Sequence, residues 1–316
     1  MTMKIIPRDQ IETVLPSLEL LPALERAFDA YSDGRAVIPP VGELLLERGE
    51  VHIKYGYLRE DDYYVIKIAS GFYRNSELGL PSGNGLMLLF RQHTGELVAV
   101  LLDEGRLTDV RTAAAGAVAA KHLAPRTVQR IGVVGTGVQA RLQVEHLAPL
   151  TPCRDVLVWG RGEEQRARYR TALEPLGFQV ETTRDAAAIL ASCNLVVTAT
   201  PSCQPLLHAA DLRPGTHITA VGSDTAEKQE LDPAILERAD VVVADSLSQC
   251  RERGEIHRAL GSGHLQEERV VELGDIIGGR ASGRTSEEQI TVADLTGVAI
   301  QDLQIARAVY EALRNS

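Results

Sequence analysis

The stretch that decides the fold runs from Ile131 to Ala140 and reads Ile-Gly-Val-Val-Gly-Thr-Gly-Val-Gln-Ala. Its apolar start predicts a buried strand, and a helix is predicted to follow from Gln139. Between them lies the pattern GxGxxA, in which Gly135 permits a tight turn, Gly137 lets the backbone approach a pyrophosphate, and the alanine keeps helix and strand close. The first turn of such a helix offers free N–H groups to phosphates. A lone glycine pattern is weak evidence, but this context predicts a dinucleotide site.

The sequence beyond this turn repeats the alternation of strand and helix. Short, almost continuous apolar runs lie at Ile131–Val134, Val156–Trp159, Leu195–Thr198, Ile218–Val221 and Val241–Ala244. Such runs are typical of parallel strands buried on both faces of a sheet. A further strand is predicted at Ile290–Val292 and a last helix from about Gly297 to Leu313. We therefore predict an α/β fold with a Rossmann-type domain.

The first 123 or so residues follow a different pattern. β-rich runs predict strands at Val51–Tyr55, Tyr63–Ala69, Leu86–Phe90 and Leu97–Leu102. The last two flank a predicted hairpin turn in which Gly95 is free to take a positive φ. Helical spacing marks residues 9–33, and an Ala-rich helix is predicted from Leu107 to about His122. These residues predict an α+β domain.

Length, charge and composition exclude several classes of protein. A chain of 316 residues suits about two domains, and its net charge of −10 argues against nucleic acid or an acidic membrane surface as partner. No apolar run approaches the roughly 20 residues that cross a bilayer, and the start lacks the apolar core of a signal peptide. The four cysteines are widely spaced, and no cluster has metal-ligand spacing. We predict a cytoplasmic protein with reduced thiols and no metal.

The end of the second parallel strand bears on the choice between NAD and NADP. An acidic residue there would bind the ribose hydroxyls of NAD. Here the strand ends in Trp159-Gly160-Arg161, and Arg161 is suited to pair with a 2′-phosphate. A solvated Arg161 and the nearby Glu163 are the alternative interpretation. NADP is therefore favoured slightly over NAD.

Eight segments together resemble the ornithine cyclodeaminase/μ-crystallin family over nearly the whole chain. Besides the Gly-Thr-Gly-Val-Gln-Ala turn they are Val65–Ala69, Gly79–Ser82, Leu107–Ala114, Val197–Pro201, Ala220–Asp224, Lys228–Leu231 and Leu295–Asp302. The resemblance implies NAD(P), a homodimer and a Rossmann domain of residues 124–294. Residues 1–123 and 295–316 would form a discontinuous domain for substrate binding and dimerisation.

The motif and the resemblance together predict the cofactor contacts. These are Thr112, Gly135, Thr136, Gly137, Val138, Gln139, Ala140, Gly160, Arg161, Thr198, Ala199, Thr200, Val221, Gly222 and Val298.

Two cations are predicted to hold the α-carboxylate of a substrate. Lys67 lies in an apolar strand, either as a solvated side chain or as a buried cation that binds a carboxylate or transfers protons. Arg111 lies in the first turn of the Ala-rich helix, where a surface arginine and bidentate carboxylate capture are both possible. The resemblance favours the functional interpretation of both, and Ser82 and Gly297 are further predicted substrate contacts.

Asp224 follows a strand at the edge where parallel sheets bind ligands. An aspartate at such a position is often only a cap, but the resemblance implies a role in proton transfer at the substrate amine. One departure from the family concerns the residue after Pro39-Pro40, which is often arginine and here is Val41. Lys54 in a neighbouring strand is predicted to replace that cation.

These residues predict an oxidoreductase that interconverts a small α-imino acid and its L-amino acid with NAD(P). Lys67 and Arg111 would hold the carboxylate, and Lys67 or Asp224 would transfer protons. Two alternatives stay open. One is an ornithine- or lysine-type cyclodeaminase that recycles its cofactor, and the other is a crystallin-like protein that binds the dinucleotide without a metabolic role.

Overall fold

The structure is a computed structural model that describes residues 3–314, with side chains throughout that range except at position 76. Its strands are β1 (Lys4–Pro7), β2 (Ala36–Val37), β3 (Gly42–Leu46), β4 (Gly49–Leu58), β5 (Tyr63–Gly71), β6 (Gly83–Arg91), β7 (Leu97–Leu102), β8 (Ile131–Val134), β9 (Asp155–Trp159), β10 (Gln179–Thr183), β11 (Leu195–Thr198), β12 (Cys203–Leu207), β13 (His217–Ala220), β14 (Gln229–Leu231), β15 (Val241–Ala244), β16 (Val270–Glu272) and β17 (Thr291–Asp294).

The α-helices are α1 (Arg8–Val14), α2 (Leu20–Ala30), α3 (Arg106–Leu123), α4 (Val138–Leu147), α5 (Glu163–Leu173), α6 (Ala187–Ser192), α7 (Pro233–Arg238), α8 (Leu247–Cys250), α9 (Gly254–Gly261), α10 (Leu273–Ile277) and α11 (Ala299–Arg314). A π-helical turn follows α2 at Tyr31–Arg35, and short 3-10 turns lie at Leu15–Ser17, Tyr73–Leu78, Glu174–Leu176, Ala209–Asp211 and Glu267–Arg269.

The chain divides into two compact units. The first runs to Arg111 and resumes at Val298, and the second spans Thr112–Gly297. Helix α3 therefore begins in the first unit and ends in the second. The domain boundaries predicted from the sequence, at residues 123 and 295, place this helix wholly in the N-terminal domain, and they stay a prediction.

The first unit is built on a sheet with the strand order β1-β7-β6-β5-β4-β2, and β3 pairs with β4 as well. All neighbours are antiparallel except β1 and β7. Side chains alternate between the two faces of a strand, and α11 packs against β4, β5 and β6. The ring of Tyr63 meets Tyr310 of α11 edge-on at 5.8 Å between centroids. Tyr63, Val65 and Lys67 therefore share the face that α11 covers.

The opposite face of this sheet carries an apolar row across five strands. Ile5 pairs with Val100, Val100 with Leu88, Leu88 with Ile66, and Ile66 with Tyr55. Ile5 keeps 58% of its surface exposed and Tyr55 keeps 38%. We call this set the apolar row.

The second unit contains a parallel sheet with the order β10-β9-β8-β11-β13-β17-β15-β16. The chain moves outward from β8 to β9 and β10 on one side, and then to β11 and β13 on the other. Ligands bind such sheets beyond the carboxyl ends of the strands where this order reverses. The dinucleotide turn predicted from the sequence follows β8 and therefore lies at that point.

The predicted α/β class is confirmed, and the apolar runs became strands within a residue or so of their predicted bounds. The sequence did not reveal β10, which reads Gln-Val-Glu-Thr-Thr at the sheet edge. It also missed the short strands β12, β14 and β16. An edge strand needs only part of its surface buried, so it lacks the continuous apolar run that marks a central strand.

Two further observations concern helices and thiols. No helix between residues 3 and 314 is both long enough and apolar enough to cross a membrane. The four cysteines, Cys153, Cys193, Cys203 and Cys250, are all free thiols.

Candidate active site

The turn between β8 and α4 has the geometry of a phosphate site. Gly135 takes φ +118°, and a Cβ there would lie 2.7 Å from the carbonyl oxygen of Ala199. Gly137 is the N-cap of α4 and supplies no capping side chain. A Cβ built at Gly137 would meet no atom within 4 Å. Open space thus adjoins a helix end, where the first N–H groups have no acceptor within the helix itself, and this arrangement fits a dinucleotide pyrophosphate.

The helix that begins in this turn is held close to the sheet. Ala140 is fully buried, whereas Val138 is half exposed beside the turn. Thr136 lies against Gly160, where a Cβ would come within 2.6 Å of the threonine methyl group. The predicted residues Thr136 and Gly160 are thereby brought together at the ends of β8 and β9.

The end of β9 carries exposed arginine and no acid. Arg161 is exposed, while Arg166 is buried and its Nη1 donates to the carbonyl oxygens of Gly160 at 2.5 Å and Arg161 at 3.3 Å. Glu163, the nearby acid, pairs with Arg184 at 3.1 Å. Arg166 therefore fixes the backbone at Gly160 and Arg161, directly after β9.

A buried glutamate joins the loops that follow β11 and β13. Glu230 accepts from the backbone N–H of Thr200 at 2.6 Å through Oε1 and from that of Gly222 at 3.0 Å through Oε2. A side chain at Gly222 would collide with the backbone of Thr200 and with this carboxyl group. Burial raises the pKa of Glu230 to about 7. The predicted residues Ala199 and Thr200, and likewise Val221 and Gly222, thus lie in two loops fixed by one carboxyl group, and Thr198 ends the strand before the first of them.

Asp224 lies in an ion pair. Its Oδ1 is 2.7 Å from Nζ of Lys228, whose side chain is buried. Nη1 of Arg253 donates to the Asp224 carbonyl oxygen at 3.4 Å. Sequence reasoning did not assign a role to Lys228, although its place four residues after Asp224 was a usable signal.

Gly297 is held by two side chains at the end of the second unit. Its N–H donates to Oδ2 of Asp245 at 2.6 Å, and its carbonyl oxygen accepts from Nε2 of Gln249 at 3.1 Å. The backbone there has φ +82°, which favours glycine. Thr112, also in this unit, accepts through its carbonyl oxygen from Nε2 of Gln143 at 3.1 Å.

The first unit contains a cluster of buried charges. Nζ of Lys67 on β5 lies 3.5 Å from Oδ2 of Asp302, and Nε of Arg111 lies 2.8 Å from Oδ1 of the same carboxylate. Nη1 of Arg111 donates to Oε1 of Gln301 at 2.6 Å. All four residues are at most 3% exposed. We call Lys67, Arg111 and Asp302 the charged triad.

Lys54 also belongs beside Lys67, because the two residues are direct partners across β4 and β5. Burial lowers the pKa of Lys67 to about 7; Asp302 opposes that change, while the charges of Arg111 and Lys54 add to it. Two cations that share one carboxylate have a charge left over for an anionic ligand. The triad is thus suited to bind a carboxylate.

The remaining predicted residues of the first unit lie in ordinary surroundings. Ser82 is exposed in the loop before β6, where its carbonyl oxygen accepts from the N–H of Phe72 at 2.7 Å. Val298 is fully buried at the start of the returning segment. The roles of all predicted site residues stay predictions.

A parallel sheet with an open glycine turn at its switch point, in a chain that also buries a triad suited to a carboxylate, defines an NAD(P)-dependent oxidoreductase. The profile of the ornithine cyclodeaminase/mu-crystallin family matches residues 2–316. The chain belongs to that family.

Individual relatives agree with this assignment. An uncharacterized cyclodeaminase of Sinorhizobium fredii is 42% identical over 319 residues, covering 98% of this chain and 96% of that protein. An archaeal alanine dehydrogenase, a dimer with bound NAD, is 34% identical with a TM-score of 0.92, covering 100% of this chain and 98% of the other. The Δ1-pyrroline-2-carboxylate reductase of Thermococcus litoralis, in complex with NADH and L-proline, is 28% identical with a TM-score of 0.93, covering 99% and 98%.

Proposed function

We propose that the protein reduces a small α-imino acid to its L-amino acid with NAD(P)H. The observation that carries this proposal is the charged triad, in which Lys67 and Arg111 share one buried carboxylate. Such a site suits the α-carboxylate of an amino or imino acid, and the turn at Gly135 and Gly137 suits the hydride donor. The names of the relatives, a reductase of a cyclic imino acid among them, support the same reaction.

The electrons and protons of this reaction balance simply. The reduced nicotinamide, when bound, supplies a hydride to the imine carbon. The π electrons of the C=N bond move to nitrogen, which takes one proton. Lys67, with a pKa near 7, can give that proton at neutral pH and regain it from water. Arg111 holds the carboxylate through its planar fork.

We propose that Asp224 binds the substrate nitrogen and that Lys228 holds the carboxylate of Asp224 in place. Asp224→Asn is expected to lower kcat/KM about 100-fold, since a positioned charged partner is lost. Steady-state reduction of an imino acid measures this. Asp232→Asn is the matched control, because Asp232 caps α7 by accepting from the N–H of Ala234 and has no proposed contact with the substrate. Undiminished turnover in Asp224→Asn contradicts the role.

We propose NADP as the preferred cofactor. Arg161 is exposed at the end of β9, and Glu163, two residues further along the chain, is paired with Arg184. Arg161→Ala is expected to weaken NADPH binding at least tenfold and to leave NADH binding unchanged, measured by nicotinamide fluorescence on titration. Arg168→Ala, an exposed arginine in the middle of α5, is the control. Equal loss for both nucleotides is the contrary result.

We propose a homodimer formed through the face that bears the apolar row. A continuous row of partly exposed apolar side chains on one sheet face is typical of a protein interface. A second copy of the chain is the proposed occupant, and the archaeal alanine dehydrogenase of the same fold is a dimer. The predicted cytoplasmic location stays a prediction.

The first assay follows NADH and NADPH oxidation with cyclic imino acids and with 2-oxo acids plus ammonia or methylamine. Ornithine and lysine are tested in parallel without added reductant. Net cofactor oxidation with one imino acid supports the proposal. Proline or pipecolate plus ammonia, formed with no net change in cofactor, indicates a cyclodeaminase instead. Dinucleotide binding without any turnover indicates the crystallin-like alternative.

A further inference from the structure

Asp302 lies at the centre of the charged triad and is fully buried on α11. One oxygen faces Lys67 and the other faces Arg111, at 3.5 and 2.8 Å. The preceding residue, Gln301, accepts from Nη1 of Arg111. In the guanidinium group of Arg111, Nε therefore contacts Asp302 and Nη1 contacts Gln301, two consecutive residues of α11. Nη2 takes part in neither of these two contacts.

The surroundings of Lys67 make this carboxylate necessary. Arg111 on α3 and Lys54 on β4 are both cations, and the partner on β6 is the apolar Met87. Burial and like charge each favour the neutral amine. Asp302 is the group in the triad that favours the ammonium form.

We infer that Asp302 is a positioning residue that keeps Lys67 protonated and turns Arg111 toward the substrate carboxylate. The inference rests on the proposed reduction, in which the ammonium of Lys67 is the active form. It assigns Asp302 no contact with the substrate. Its effect is to decide up to which pH Lys67 remains able to donate a proton.

The test is the pH profile of Asp302→Asn, which keeps the side-chain volume and removes the charge. Wild-type kcat/KM for imine reduction is expected to fall as pH rises through about 7, where the fold places the pKa of Lys67. In the variant the half-maximal point is expected to move to lower pH by about one unit or more. The ratio of wild-type to variant kcat/KM is then expected to grow severalfold between pH 6 and pH 8. A loss that is the same factor at every pH overturns the inference.

Asp61→Asn is the matched control. Asp61 pairs with Arg307 of the same helix at 3.0 Å, and its side chain is also buried. This variant is expected to lower the unfolding midpoint without moving the pH profile. If Asp302→Asn does not fold, Gln301→Met removes the second hold on Arg111 and keeps the charge beside Lys67. It is expected to raise KM tenfold or more with an unmoved profile, and an unchanged KM contradicts the inference.

Failure of the proposed function is a separate outcome. If wild-type protein reduces no imino acid, calorimetric binding of pyrrole-2-carboxylate at pH 6 and pH 8 replaces the rate. The affinity lost in Asp302→Asn is then expected to be larger at pH 8. Equal losses at both pH values overturn the role of Asp302 whether or not the protein is a reductase.

Discussion

Buried carboxyl groups fix the positions of other groups in both units. Asp302 holds two cations, Glu230 holds two backbone N–H groups, and Asp245 holds the N–H of Gly297. Each gains several hydrogen bonds or charges in return for the cost of leaving water. Such a carboxyl group positions other groups without touching the reacting atoms. Its replacement should therefore change ligand affinity, or the pKa of a neighbouring group, more than it changes the rate of the chemical step.

Glu230 provides a prediction about pH and stability. Its pKa is about 7 in the fold and near 4.5 in an unfolded chain, so the folded state holds the proton more tightly. The free energy of unfolding contributed by this group is therefore full below pH 4.5 and is lost as pH rises through 7. Between pH 5.5 and pH 8 this loss is about 2 kcal/mol. Urea unfolding measures this. Between pH 5.5 and pH 8 the free energy of unfolding of Glu230→Gln is expected to fall by about 2 kcal/mol less than that of the wild type.

The exposed Glu227 lies in the same segment and serves as the control, since Glu227→Gln should leave the pH dependence as in wild type. An identical fall in wild type and Glu230→Gln contradicts the titration of Glu230. In Glu230→Gln the amide nitrogen also faces one of the two backbone N–H groups, of Thr200 or Gly222, and it cannot accept a hydrogen bond from that group. Dinucleotide affinity is therefore expected to drop about tenfold at pH 8, a loss comparable to one buried hydrogen bond.

The residues that sequence reasoning missed share one property. Asp302, Glu230 and Lys228 act on groups through side chains whose partners depend on the tertiary fold. Lys67 and Arg111 were candidates because each is a cation in an apolar or Ala-rich segment, and the resemblance to the family then favoured a functional role for both. The pairing of Arg111 with Asp302 joins residues 191 positions apart, which no local pattern encodes. An acid within Ile300-Gln301-Asp302-Leu303 on a buried helix face was the available signal.

At the level of elements, the turn between β8 and α4 separates two roles of glycine. Gly137→Ala is expected to keep the unfolding midpoint, because φ −82° suits alanine and the space around the Cβ is open. It is expected to weaken dinucleotide binding at least tenfold, since that space is where the pyrophosphate would approach. Calorimetric binding and thermal unfolding measure the two effects.

Gly135→Ala is the matched contrast. Its φ of +118° and the nearby carbonyl oxygen of Ala199 make a side chain unfavourable in the fold itself. This variant should lose about 1–3 kcal/mol of stability as well as affinity. Equal destabilisation by both alanines contradicts the distinction.

Five strands of the second unit were predictable because they are apolar on both faces. Their order could not be predicted. Strand β17 inserts between β13 and β15, although it comes last in the chain. That placement is set by pairing with β13 and β15, which are distant in sequence, and no residue of β17 by itself encodes these partners.

At the level of the whole molecule, the apolar row predicts the oligomeric state. Ile66→Asp places a charge at the centre of that face, and burying it in an interface without a partner is unfavourable. Sedimentation at micromolar concentration is expected to show twice the chain mass for wild type and one chain mass for the variant. Leu176→Asp is the control, since Leu176 is 53% exposed on the second unit. A wild-type monomer, or a dimer that survives Ile66→Asp, contradicts this interface.

The discontinuity of the first unit has a consequence for how the protein is made. Lys67 and Arg111 leave the ribosome long before Asp302, which follows Arg111 by 191 residues. At about 5–20 residues per second, the two cations wait roughly 10–40 seconds for their carboxylate. During that time the nascent sheet has no α11 to cover it, so Lys67 and Arg111 stay hydrated. The cation site is therefore completed only after Asp302 has been synthesised, by which time the glycine turn and all strands of the second unit, the last of which ends at Asp294, have already been made.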